Sequence, residues 1–212
     1  MDYWKRLMNS RAEGEEEEEE EEEKPQGPGQ DFGAFYQKML KTRNILLSGE
    51  INKNLAENVI RQLLLLEDMS NDPIKVFIDS PGGDADAGYA IFDMMRFVKP
   101  PVHIIGMGLV ASAAAIILLA APKERRLALP NSHYLIHQPL SGMRGVATAI
   151  EIHARELERM RQRINHLIAD ETSMPYEQVE KDTDRDFWMN AEEAQKYNLV
   201  SRIIHKRDEI EG

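Results

Sequence analysis

The stretch that decides the fold is VHIIGMGLVASAAAIILLAA, residues 102–121. It begins with the β-type run VHIIG and ends with ASAAAIILLAA, a composition that favours a helix. The 19 residues from Ile104 to Pro122 carry no charge, which is about the length that spans a hydrocarbon core. Because Gly106, Gly108 and Ser112 interrupt the run, we interpret it as a buried strand at 102–106 followed by a buried helix that begins near Ser112, and we predict no membrane span.

Strand and helix patterns alternate on both sides of this stretch. Upstream, the periodicity predicts a helix over 54–67, a buried strand over 74–79 that ends in the turn SPGGD, and a helix that reaches Phe97. Downstream it predicts strands at 126–129 and 133–136, a long helix from Val146 to Glu171 and a short helix at 176–182. The chain then continues with a strand at FWM, a helix at AEEAQKYN and a strand at VSRII. Repeated strand–helix units joined by short turns predict an α/β domain with a largely parallel sheet.

Charge is distributed unevenly along the 212 residues. The chain has a net charge of −11, and residues 1–30, which include the nine glutamates Glu15–Glu23, account for −7 of it. Such a charged segment, followed by KPQGPGQ, cannot bury much surface, so we predict a disordered arm over 1–30 and a folded domain over 31–212.

The folded part is close to neutral and shows neither a basic stripe nor a zinc-ligand spacing, so we expect no nucleic-acid partner and no metal. The absence of cysteine excludes a disulfide-stapled secreted module. The N-terminus MDYWKRLMNS has no apolar run behind its charges, and we therefore expect a cytoplasmic protein.

Two sequence features could stabilise a developing negative charge. Ser112 stands at the start of the predicted helix, where unpaired backbone N–H groups point outward, although an ordinary N-cap serine explains the same position. The paired glycines of SPGGD let a backbone approach a ligand closely, although most such pairs only make turns.

A proton-transfer role is open to two histidines at the ends of the same predicted strand. His137 ends HYLIH and precedes Gln138-Pro139, where the chain must leave the sheet, and His133 is the competing candidate. In KDTDRDFW any one of Asp182, Asp184 and Asp186 could orient an imidazole, although an exposed acidic turn is the commoner explanation.

Several segments together resemble the proteolytic subunit of the Clp protease, a self-compartmentalising serine peptidase. The resemblance runs collinearly over about residues 31–205. The segments that carry it are FIDSPGGDADAGYAIFDMM (77–95), GMGLVASAAAIILLAAPKERRLALPNSHYLIHQPLSG (106–142), IEIHAREL (150–157) and EKDTDRDFWMNAEEAQKYNLVSRII (180–204).

The resemblance implies a crotonase-like fold of repeated strand–strand–helix units with a long handle helix between two stacked heptameric rings. It implies that Ser112 is the nucleophile, His137 the general base and Asp186 the acid that orients it. It further implies an oxyanion hole made by the backbone N–H groups of Gly83 and Ala113, and pairing of LSGMRG (140–145) with an extended substrate.

The same resemblance implies cleavage of unfolded polypeptides fed by a Clp-type AAA+ ATPase. No cofactor is expected in the peptidase, since a triad with an oxyanion hole is chemically complete and ATP is used by the partner.

Departures from the family pattern keep two alternatives open. Ala113-Ala114 replaces the usual Met-Gly after the serine, and Val146-Ala-Thr-Ala149 replaces Gln-Ala-Thr-Asp, which removes polar groups thought to pair across the rings with an arginine matching Arg185. Lys75 stands where the ATPase-docking pocket often has an aromatic residue. Lys75 weakens the expectation of ATPase docking, whereas Ala114, the altered handle and the Glu-rich arm favour a catalytically weak subunit that assembles or gates a mixed-ring protease. A crotonase-type acyl-CoA enzyme is the more remote alternative.

The Glu-rich arm generates a first testable prediction. We expect it to gate entry or to repel acidic substrates, so deletion of residues 1–30 should speed the hydrolysis of acidic peptides more than that of neutral ones. Rates are measured with matched acidic and neutral fluorogenic peptides. Unchanged peptide entry after the deletion would contradict this role.

Overall fold

A computed structural model describes residue 33 and residues 37–210 of the chain. The predicted arm over 1–30 lies outside the described residues. Within the described part, no helix is both long enough and apolar enough to cross a membrane.

Over residues 44–210, seven strands and six α-helices follow one another, together with two short 3-10 helices at Lys123–Arg125 and Arg207–Ile210. The order of the strands and α-helices is β1 Asn44–Ser48, α1 Lys53–Met69, β2 Ile74–Ser80, α2 Ala85–Phe97, β3 Val102–Ala111, α3 Ala113–Leu118, β4 Arg126–Ala128, β5 His133–Ile136, α4 Ala147–Thr172, α5 Tyr176–Asp182, β6 Phe187–Asn190, α6 Ala191–Lys196 and β7 Arg202–Ile203. The predicted α/β class is confirmed, and each predicted strand and helix is present, although β3 extends beyond its predicted end.

The strands form one mixed sheet with the order β1-β2-β3-β4-β7, all parallel. Strand β3 is the branch point, because its first half pairs with β4 and its last three residues, Leu109–Ala111, pair in parallel with β5. Strand β6 then pairs antiparallel with β5. The second half of β3 therefore extends the sheet in a new direction, away from β4.

Strand β3 is longer than predicted, because it continues to Ala111 instead of ending at residue 106. The glycines that suggested a turn make a bulge within the strand. Gly108 has φ +54, the backbone N–H of Leu109 donates to the Asp79 carboxylate at 3.0 Å, and the β2–β3 register shifts between Ile78 and Ser80. A bulge bends a strand, and this one lets β3 exchange β4 for β5 as its neighbour.

The core lies between the sheet and its helices. Helix α3 is buried over all six of its residues, and α2 packs against it through Gly88, where an added Cβ would lie 3.3 Å from the Cβ of Ala113. The apolar run that begins at Ile104 is thus divided between the second half of β3 and a buried helix, as the sequence predicts.

Helix α4 is buried over only part of its 26 residues. Its buried side chains begin at Ile164, whereas Ile150 and Ile152 in the first half are exposed. The first half therefore extends beyond the chain's own core, as expected of the handle helix.

Strand β5 is held to β3 by a buried tyrosine. Tyr134 is fully buried, its hydroxyl forms a hydrogen bond with Ser132 at 3.0 Å, and its ring fills the space beside Gly106, where a Cβ would lie 2.4 Å from the phenol oxygen. Burial raises the pKa of the Tyr134 phenol from its ordinary 10.0 to about 12.

The raised pKa of Tyr134 predicts a loss of stability in alkali. The folded state favours the neutral phenol, so its contribution is complete below pH 10 and is lost as the pH rises from 10 to about 12. Between pH 10 and about 12, the free energy of unfolding of the wild type should fall by about 2–3 kcal/mol more than that of Tyr134→Phe, which has no phenol to ionise. Urea unfolding at a series of pH values measures the difference, and parallel pH profiles would contradict it.

Candidate active site

Ser112 occupies the single residue between β3 and α3. It adopts φ 56° and ψ −121°, a conformation that side-chain-bearing residues rarely adopt, and its side chain makes no capping hydrogen bond. Such backbone strain costs about 1–3 kcal/mol and persists where the surroundings enforce it. The backbone N–H of Ser112 donates to the carbonyl of Leu135 in β5 at 2.9 Å, which continues the β3–β5 ladder. Ser112 is therefore not an ordinary N-cap serine.

The turn after β2 approaches the Ser112 backbone closely. Gly82 has φ +93, and a Cβ added there would lie 2.6 Å from the Cβ of Ser112 and 3.1 Å from the amide nitrogen of Ala113. Gly83 has φ +147 and packs equally tightly against the backbone of Ile51. Both glycines of SPGGD are thus required for the backbone to fit.

His137 reaches Ser112 through the register of β5. Ala111 pairs with Leu135 in the parallel β3–β5 ladder, so Ser112 lies one residue and His137 two residues beyond the last pair. The Nε2 atom of His137 lies 2.9 Å from the Oγ of Ser112, which is hydrogen-bond distance. The imidazole is largely buried, with 15% of its side chain exposed.

Asp186 completes the row because β6 runs antiparallel to β5. Ile136 pairs with Phe187, so His137 and Asp186 stand opposite each other just beyond the last pair. The Oδ1 of Asp186 lies 3.0 Å from the Nδ1 of His137. The carboxylate is open to solvent, with 61% of its side chain exposed.

The turn that carries Asp186 is anchored by residues that the sequence reasoning did not select. The backbone N–H of Gln138 donates to the carbonyl of Thr183 at 2.6 Å. Thr183 is fully buried, and its hydroxyl donates to Asn165 on α4 at 2.8 Å. This buried hydrogen bond fixes the position of Thr183 against α4. The only feature of the sequence that could have indicated this anchor is that Gln138 directly follows His137.

Two backbone N–H groups remain available beside Ser112. Within the described part of the chain, the amides of Gly83 and Ala113 donate no hydrogen bond, and both residues line the same cavity as Ser112 and His137. Unpaired N–H groups at a helix start and in a glycine turn can stabilise an oxyanion. The sequence suggested the SPGGD turn and the helix start at Ser112, and the family resemblance implied the amides of Gly83 and Ala113.

The cavity next to these residues has a volume of about 770 Å³. Helices α2, α3 and α4 supply its apolar walls, including Ile116 and Ile164. His153 also lines it, although nothing in the sequence singled this histidine out, and its Nε2 lies 2.9 Å from the Oγ of Ser141. The cavity is large enough for peptide side chains beside the serine.

The competing sequence candidates lie elsewhere or make other contacts. His133 is at the opposite end of β5 from His137 and is exposed. Asp182 accepts a hydrogen bond from the Tyr197 hydroxyl at 3.0 Å, and Asp184 lies 3.6 Å from Arg161. Of the three candidate acids, only Asp186 contacts His137. Among residues 37–210, no group of three histidines or acidic residues is placed to hold a metal ion.

Comparison with known proteins identifies what the chain is similar to. The Clp protease family model matches residues 28–207. The ATP-dependent Clp protease proteolytic subunit 2 of Treponema denticola is 65% identical over 181 residues, which cover 85% of this chain and 90% of that protein. The subunit of the same name from Pseudomonas aeruginosa is 44% identical over 191 residues, or 88% of this chain and 95% of the relative. Among solved structures, ClpP1 from Listeria monocytogenes superimposes with a TM-score of 0.76 at 51% identity, covering 83% of this chain and 99% of that one.

The close approach of the glycine turn to Ser112 predicts different costs for two glycine substitutions. Gly82→Ala places a Cβ 2.6 Å from both the Ala111 carbonyl oxygen and the Ser112 Cβ at a positive φ, and it should lower the free energy of unfolding by about 2–4 kcal/mol. Gly88→Ala is the matched control, because its Cβ lies within a helix, 3.3 Å from the Ala113 Cβ and 3.5 Å from the Ala113 carbonyl oxygen, and it should change stability by less than about 1 kcal/mol. Denaturant unfolding measures both. Equal effects would contradict the packing described here.

Proposed function

Since this chain belongs to the Clp protease family, as a proteolytic subunit with serine endopeptidase activity, we propose that Ser112, His137 and Asp186 are its catalytic triad. The observation that carries the proposal is the continuous hydrogen-bonded row from the Ser112 hydroxyl through both nitrogens of His137 to Asp186. This is the arrangement that an acyl-enzyme mechanism needs.

His137 acts first as a general base. Its Nε2 takes the proton from the Ser112 hydroxyl while Oγ attacks the carbonyl carbon of the peptide bond. The imidazolium ion that forms keeps its Nδ1–H on the Asp186 carboxylate, which fixes the tautomer and stabilises the positive charge. His137 then gives the proton to the leaving amine.

The backbone N–H groups of Gly83 and Ala113 stabilise the negative charge that develops on the carbonyl oxygen by donating hydrogen bonds to it. These amides are already in place, so no reorganisation is needed at the moment of reaction. A water molecule then attacks the acyl-enzyme, with His137 as base, and frees the new carboxylate. No cofactor enters this sequence.

Substrate selection depends on access in this proposal. Residues 140–145 form neither helix nor strand and are exposed, so their backbone is free to pair with an extended polypeptide. Such pairing reads the main chain, which suits unfolded proteins delivered by a Clp-type AAA+ ATPase that consumes ATP in the cytoplasm.

Assembly into stacked heptameric rings is supported by exposed apolar surface. The first half of α4 presents Ile150 and Ile152 to solvent, with 45% and 62% of each residue exposed. Val146, directly before the helix, is 71% exposed, and Leu140 is 81% exposed. Apolar groups concentrated on one projecting helix mark an interaction surface. Phe97, which is 78% exposed, supports docking of the ATPase at a second surface.

The geometry favours an active subunit over a catalytically weak one. Ala114 is fully buried in α3, and its methyl group is accommodated while the Ser112–His137 contact remains at 2.9 Å. Family membership leaves the crotonase-type acyl-CoA alternative without support.

Substitution of the triad tests the proposed function. Ser112→Ala should lower kcat/KM for a fluorogenic peptide by at least about 10⁴-fold, because the attacking oxygen is removed. Asp186→Asn should lower it by about 10²- to 10⁴-fold, because an amide can stabilise the wrong imidazole tautomer.

Asp184→Asn is the matched control for the acid. It neutralises a neighbouring carboxylate of similar exposure that does not contact His137, and kcat/KM should stay within about twofold of the wild type. Retained hydrolysis in Ser112→Ala, or equal losses in Asp184→Asn and Asp186→Asn, would overturn the assignment of the triad.

A further inference from the structure

The chain that follows His137 is held loosely. Gln138 is tied to Thr183 through its backbone, but residues 139–145 belong to no helix or strand. Leu140 and Met143 within this segment are 81% and 43% exposed. Little burial holds the segment in place, although it begins only two residues after the imidazole that contacts Ser112.

One side-chain hydrogen bond connects this segment to the rest of the described chain. The Oγ of Ser141 lies 2.9 Å from the Nε2 of His153. His153 belongs to the second turn of α4 and is half-buried, so the bond joins a segment without regular structure to a rigid helix. Both residues line the cavity that contains Ser112 and His137.

We propose that Ser141 and His153 are a pair of positioning residues that hold segment 139–145 at the distance from Ser112 needed for pairing with an extended peptide. This inference rests on the proposed peptidase function. Neither residue touches the reacting atoms. The bond reduces the conformational freedom that the segment would otherwise lose when a peptide binds.

A second nucleophile is the other chemistry that a serine–histidine pair can perform, and the surroundings disfavour it. Within the described part of the chain, no carboxylate is hydrogen-bonded to His153, and the nearby Glu156 is paired with Arg159. Ser141 also stands outside any helix N-terminus, whereas Ser112 precedes α3. Ser141 therefore lacks both an orienting acid and an oxyanion hole.

The positioning role predicts an effect that depends on substrate length. With a quenched decapeptide, Ser141→Ala should raise KM by about three- to tenfold, the effect of losing one neutral hydrogen bond, and should leave kcat within about twofold. With a blocked amino-acid p-nitrophenyl ester, which reaches Ser112 but not the segment, both constants should remain unchanged. Ser141→Thr keeps the hydroxyl and should restore the decapeptide KM.

Substitutions of His153 test whether the two side chains act as one unit. His153→Leu should reproduce the effect of Ser141→Ala, and His153→Gln, which keeps a hydrogen-bonding group near the position of Nε2, should restore most of the affinity. The double variant Ser141→Ala/His153→Leu should be no worse than either single variant, since both remove the same bond. Effects that multiply in the double variant would overturn the pairing.

Equilibrium binding separates this inference from the proposed function. In a Ser112→Ala background, which needs no turnover, the Kd of a fluorescent decapeptide should rise about three- to tenfold on adding Ser141→Ala and recover with Ser141→Thr. An unchanged Kd would overturn the positioning role even if the triad is active. Conversely, the expected change in Kd would support the pair even if the chain failed to hydrolyse peptides.

Discussion

The pairing of β5 between β3 and β6 is the constraint on which the site depends. Strand β5 has four residues, yet its parallel register with β3 and its antiparallel register with β6 bring the ends of three strands to one edge. Ser112 follows β3, His137 follows β5 and Asp186 precedes β6. A shift of one residue in either ladder would turn the side chains to the opposite face and separate the row.

The packing around this edge explains why so short a strand is stable. The Tyr134 ring fills the space left by Gly106, and the bulge at Gly108 bends β3 away from β4 so that a new neighbour can pair with it. The same bend delivers Ser112 to its unusual backbone conformation, which the glycines of the SPGGD turn accommodate. The packing and strand pairing around β5 therefore offset the backbone strain of Ser112.

The sequence predicts the elements well because their periodicities are strong. The apolar run from Ile104 divides into strand and helix, and the long helix is found within one residue of its predicted ends. The predicted end of β3 was wrong, because Gly106 and Gly108 suggested a turn. In the structure, Gly106 makes room for the Tyr134 ring and Gly108 forms a bulge within the strand. Composition alone does not distinguish these uses of glycine.

The site was predictable only in part, for a related reason. Residue types and order left Asp182, Asp184 and Asp186 as equal candidates, and only the β5–β6 register separates them. No sequence pattern predicts the roles of Thr183, Asn165 and His153, because their contacts join segments that are distant in sequence and carry no local motif. The family resemblance pointed to Asp186, which residue type and spacing alone could not separate from Asp182 and Asp184.

Fluorophosphonate labelling of the purified full-length chain tests directly whether Ser112 is an activated nucleophile. The reagent needs a serine oxygen made reactive by its surroundings, and peptide mass spectrometry identifies the modified residue. We expect modification at Ser112 alone, with none in Ser112→Ala and a strongly reduced rate in His137→Gln. Modification at Ser141, or labelling that persists without Ser112, would contradict it.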